Sequence, residues 1–123
     1  MSAFVPVPGC ATRFRVLNQA PPSAPVVERG DVVVVHAKGV VKETQKTFWS
    51  TKDPGQKPFE YTAGVGGVIT GWDRGCLGAR VGETRELDIP ASEGYGAGGF
   101  PAWGIPPNGA LVFEIEVLSV RGK

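Results

Sequence analysis

The sequence predicts an α+β fold, an antiparallel sheet of five to six strands with one short α-helix packed on a face. Three observations carry this prediction. Apolar residues alternate with polar ones in several short runs, and only one stretch has helical spacing. The chain also holds 18 Gly and 11 Pro in 123 residues, which demands many turns and argues against a helical bundle.

Arg13-Phe14-Arg15-Val16-Leu17 alternates as a strand should. Pro21, Pro22 and Pro25 cannot continue it, so this segment is an extended crossing loop. Glu28-Arg29-Gly30-Asp31 signals a turn into a β-branched strand over residues 32–37, which Val40 and Val41 prolong past Gly39. The unbroken valines at 32–35 imply cover on both faces. A polar connection, 42–46, leads to Thr47-Phe48-Trp49. Residues 52–57 form a turn, and 58–62 alternate as the next strand.

After a glycine break at 64–67, residues 68–77 are the one convincing helix, with Ile69, Trp72 and Cys76 on one face. Gly71 and Gly75 each cost it ~1 kcal/mol relative to Ala, so packing must hold it. Val81-Gly82-Glu83 turns into a strand over 84–89, where Leu87 and Ile89 face one way and Glu86 and Asp88 the other. Pro90 ends that strand. A long Gly- and Pro-rich loop, 91–109, precedes the last strand, 111–120. There Leu111, Phe113, Ile115 and Val117 share a face opposite Glu114 and Glu116.

The composition narrows the function. A formal charge of +1, without charge blocks, provides no field for nucleic acid or an anionic membrane. No apolar run approaches the ~18 residues of a spanning helix, and the start lacks the basic and apolar stretches of a secretory signal. Cys10 and Cys76 match no metal-ligand spacing, and reduced thiols in a cytoplasmic protein are expected. His36, the only histidine, reads as a hydrogen-bonded structural residue, and Cys76 as a small buried apolar one. Gly64-Val65-Gly66-Gly67 lacks the Lys and Ser or Thr of a phosphate loop. No metal and no cofactor are expected.

Residues 68–113 gather apolar and aromatic side chains without a nucleophile, a metal cluster or a paired acid and base. Chemistry there is restricted to what shape and removal of water can catalyse. Rotation about the peptide bond before proline fits. Its barrier of ~18–20 kcal/mol comes from amide resonance. A dry aromatic cup disfavours the polar planar amide relative to the twisted transition state, and each ~1.4 kcal/mol so gained is about tenfold in rate.

From Gly30 to Val120 the chain resembles the FKBP family of macrolide-binding peptidyl-prolyl cis-trans isomerases. The resemblance rests on Val34-Val35-His36, Lys57-Pro58-Phe59, Gly64, Val68-Ile69 with Gly71-Trp72, Val81-Gly82-Glu83, Gly94-Tyr95-Gly96, Ile105-Pro106-Pro107 and Leu111-Val112-Phe113-Glu114. It implies a strongly curved sheet wrapped around the helix. Residues 1–27 would add an N-terminal strand and Pro-rich crossing segment to an isomerase domain at 28–123, in a single domain overall.

Carried over by motif, the catalytic set is Trp72 as floor, Tyr95, Phe113, and Ile69 with its free backbone N–H. The substrate-binding set is Phe48, Phe59, Val68, Ile105 and Trp49, with Tyr95 and Ile105 at the rim. The implied substrates are Xaa-Pro-containing polypeptides, taken up by a cytoplasmic monomer. A non-catalytic module that binds proline segments or a partner through the same pocket is the alternative. Ala37 stands where the family commonly has Tyr, Trp49 where it has Asp, and Phe100 where His is frequent. The loop at 102–105 is about one residue longer. Macrolides such as tacrolimus or rapamycin are therefore expected to bind with reduced affinity.

Overall fold

The computed structural model describes residues 3–123. Seven strands form one antiparallel sheet: β1 (Val5–Pro6), β2 (Arg13–Asn18), β3 (Val32–Val41), β4 (Lys46–Ser50), β5 (Phe59–Thr62), β6 (Thr84–Ile89) and β7 (Leu111–Val120). Their order is β1-β2-β6-β7-β3-β4, and β5 also pairs with β3. The sheet exceeds the expected five to six strands by β1, whose two residues carry no alternation to read. The one α-helix among the described residues, α1 (Thr70–Gly75), packs on one face.

The strand β3 organises the site. Its first half pairs with β5 at Val32–Val35 and its second half with β4 at Lys38–Val41, along the same edge. The chain between β4 and β5 thereby leaves and rejoins the same edge of β3. The alternating burial of β3 corrects the expectation of cover on both faces. Val33 and Val35 are fully buried while Val32 and Val34 are half-buried, because the helix covers one face only.

The helix is shorter than residues 68–77. Ile69 has the extended geometry φ −57°, ψ 149°, which places Val68 and Ile69 ahead of the first turn. Asp73 anchors the turn before them, its carboxylate accepting bonds from the Gly64 N–H at 2.8 Å and the Gly66 N–H at 2.9 Å. The last turn tightens as Leu77 N–H donates to Arg74 C=O.

The two glycines allow the close approach that holds so short an element. A Cβ on Gly71 would lie 2.6 Å from both Ile89 and the Thr12 hydroxyl, and one on Gly75 2.8 Å from Leu87. Arg85, on the core face of β6, caps the helix by donating to Gly75 C=O at 3.0 Å and Leu77 C=O at 3.3 Å. Glu83 neutralises it through a buried ion pair.

The core lies between helix and sheet, with Leu87, Ile89, Leu111, Phe113, Ile115 and Val117 from β6 and β7 meeting Trp72 and Cys76. Asp88, expected on the outer face, is covered there by Arg13 at 2.5 Å and Lys42 at 3.0 Å. Both cysteines are free thiols. His36 Nδ1 is hydrogen-bonded to the Thr51 hydroxyl at 2.9 Å, a structural role.

Candidate active site

Helix and sheet leave a cavity of about 560 Å³ between them, lined largely by aromatic rings. Trp72 is its floor, 4% exposed, because Gly71 brings the first helical turn down onto the sheet. Four rings pack on this indole with centroids close enough to exclude water: Phe113 at 5.1 Å, Phe59 at 5.5 Å, Tyr61 at 5.7 Å and Trp49 at 5.9 Å. Val68 and Ile69 form the lip at the helix start, and Tyr95 stands at the opposite rim. The Ile69 N–H donates to no protein acceptor among the described residues and no side chain caps the helix there, so it is open to a substrate carbonyl.

Seven of the nine residues expected in the site line this cavity: Trp72, Tyr95, Phe113, Ile69, Phe59, Val68 and Trp49. Phe48 stands one ring behind, edge-on to Phe113 at 5.7 Å and stacked on Trp103 at 6.2 Å. Ile105 is corrected from rim to core. It is 1% exposed, since its backbone pairs with Phe100 in both directions and turns its side chain inward.

Trp103 takes the place at the rim that sequence reasoning assigned to Ile105. It lines the cavity while 46% exposed, packed on Phe100 at 5.0 Å and Tyr95 at 6.4 Å. The extra length of that loop was the available signal, because a longer tip lets an indole swing over the opening. The chain at 55–58, between β4 and β5, supplies another stretch of wall.

Burial pushes the Tyr95 phenol up, and burial with Cys76 alongside does the same to Tyr61 beneath the floor. The Cys76 thiol, fully enclosed, is pushed up to about 12 by burial. The Tyr61 hydroxyl and the Trp72 indole Nε1 are buried without hydrogen-bond partners among the described residues, so the floor's polar edge faces away from solvent. Lys57 is the only charged residue along the lining among the described residues. Such a cup offers an apolar ring a wall of aromatic and aliphatic side chains.

An antiparallel sheet packed on one short helix, with an aromatic cup between them, is the arrangement that the resemblance to peptidyl-prolyl isomerases led one to expect. The model of the FKBP-type peptidyl-prolyl cis-trans isomerase family matches residues 24–118, and the chain belongs to that family. It is 52% identical over 103 residues to the peptidyl-prolyl cis-trans isomerase FKBP12 of Arabidopsis thaliana, covering 82% of this chain and 92% of that one. With the FKBP12 of Vicia faba it shares 53% over 101 residues, 80% of this chain and 90% of the other. The FK506-binding protein 1 of Debaryomyces hansenii is 48% identical over 92 residues, 75% and 80% of the two chains.

Proposed function

We propose that this peptidyl-prolyl cis-trans isomerase turns the Xaa–Pro bonds of its substrates in the cup floored by Trp72, with the prolyl ring between Trp72, Phe59 and Phe113. The observation that carries this reading is the stack of aromatic rings around Trp72, each centroid within 6 Å of it. The free Ile69 N–H holds a substrate carbonyl, and the Tyr95 hydroxyl offers a second contact at the rim. Inside the cup the planar amide loses the water that favours its charge separation. The twisted amide has less to lose, so the barrier falls.

An aromatic wall suits a bulky apolar residue before the proline. Two free thiols suit a reducing compartment, in keeping with a cytoplasmic monomer acting on exposed Xaa-Pro segments. Tacrolimus and rapamycin enter the same cup with reduced affinity. Trp49 fills the wall with an indole where a carboxylate would meet a ligand hydroxyl, and Ala37 contributes no hydroxyl of its own. Isomerisation of a Leu-Pro tetrapeptide, followed with a coupled protease at micromolar protein, tests the reading. Acceleration that is lost when a macrolide fills the cup supports it. Acceleration that persists with the cup filled puts catalysis elsewhere.

A further inference from the structure

Thr12 precedes residues 24–118 that match the family model, yet it is among the most deeply buried residues of the chain, 0% exposed. The turn that presents it is closed by two bonds, Val7 N–H to Thr12 C=O at 2.9 Å and Cys10 N–H to Val7 C=O at 3.0 Å. Behind it, β2 runs along β6 with Arg13 opposite Asp88, which sets Thr12 beside the end of β6. There one carboxylate receives three donors. Glu93 Oε1 accepts from the Thr12 hydroxyl at 2.5 Å and the Thr12 N–H at 2.8 Å, and Oε2 accepts from the Ala11 N–H at 2.8 Å. Burial works against the Glu93 charge, but these bonds outweigh it and hold its carboxyl below the usual range.

Two parts of the cup meet at this point. Glu93 closes the 3-10 turn Ala91–Glu93, two residues before Tyr95 at the rim. The Thr12 hydroxyl also presses on Gly71, the residue before the floor indole, where a Cβ would come within 2.6 Å of it. We propose that Thr12 is a positioning residue for the isomerase site, fixing the Tyr95 rim through Glu93 and the Trp72 floor through its contact with Gly71. The N-terminal hairpin is then a clasp that sets the distance across the mouth of the cup. This rests on the reading of Tyr95 and Trp72 as rim and floor.

The experiment measures kcat and KM for a Leu-Pro tetrapeptide in the full chain, with Thr12→Val, Thr12→Ser, Glu93→Gln and Tyr95→Ala compared with the parent. Thr12→Val keeps the volume and removes the hydroxyl, and is expected to raise KM roughly fivefold, the equivalent of about one hydrogen bond, with kcat little changed. Glu93→Gln, which turns an amide N–H toward the same donors, is expected to do likewise, while Thr12→Ser keeps the parent values. Parent KM in both folded Thr12→Val and Glu93→Gln, with KM raised in Tyr95→Ala, overturns the clasp alone. An unchanged KM in Tyr95→Ala overturns the rim reading and the clasp with it. Should Thr12→Val fail to fold, Glu93→Gln decides the same question, since its side chain is reached from the surface.

Discussion

Trp49 lays its indole against that of Trp72, with ring centroids 5.9 Å apart and planes inclined by 34°. The floor of the cup is thus continued by a second indole up its wall, in a place where the resemblance to macrolide-binding relatives leads one to expect a carboxylate. The pair makes the cup drier and less polar. Those properties suit rotation of a prolyl amide and disfavour a ligand that needs a hydrogen-bond acceptor.

Trp49→Asp is therefore expected to bind tacrolimus more tightly than the parent. One charge-assisted hydrogen bond amounts to about 1.5–3 kcal/mol, or roughly tenfold or more in affinity. Titration calorimetry checks this. Nanomolar affinity in the parent protein would show that Trp49 imposes no such penalty.

Trp72→Ala removes the ring on which Phe113, Phe59, Trp49 and Tyr61 all pack. It is expected to cost about 3–5 kcal/mol of stability and to abolish most of the activity. Trp72→Phe keeps an aromatic floor and should retain a measurable part of both. Urea unfolding and the peptide assay give the two values side by side.

Asp73 holds the loop before the helix through two backbone amides, each bonded to a different carboxylate oxygen. Asp73→Asn keeps one acceptor and faces the other amide with a donor. A loss of about 1–3 kcal/mol is expected, seen as a lower urea midpoint with an unchanged slope.

Asp88 predicts the direction of an acid transition. Burial raises its carboxyl, but bonds from Arg13 and Lys42 prevail and its folded value lies below the ordinary one. A group depressed on folding contributes stability above its unfolded value, near ~3.9, and loses that contribution as pH falls through the folded value. The parent should lose stability on acidification below about pH 4, and Asp88→Asn should lose less over the same range. Thermal melts at a series of pH values compare the two slopes.

The frame was legible wherever a periodic pattern carried it. Leu87 and Ile89 in β6, and Leu111 to Val117 in β7, alternate with a period that only a one-sided sheet requires. Trp72 was legible because its spacing from Cys76 puts the two on one helical face, although Ile69, expected beside them, stands ahead of the first turn. What escaped has no period. Val5 and Pro6 are a strand only because β2 lies beside them. Arg85 alternates with Leu87 and Ile89, yet nothing in the pattern shows why a charge stands on that face until the helix carbonyls it caps come into view. Which of Trp103 and Ile105 faces the cup depends on how the loop pairs with itself through Phe100, and residue type alone favours the isoleucine. The Thr12–Glu93 clasp joins positions 81 residues apart, and neither residue announces the other.

The cup is held to accelerate rotation without any group that gains or loses a proton. Tyr95, Tyr61 and Cys76 are all pushed upward by burial, away from neutral pH. The direct test is kcat/KM for a Leu-Pro tetrapeptide against pH, from about 6 to 9, read without a coupled protease. A flat profile is expected. A bell or a sigmoid with a midpoint inside that window would reveal an acid or base at work and contradict catalysis by shape and dryness alone.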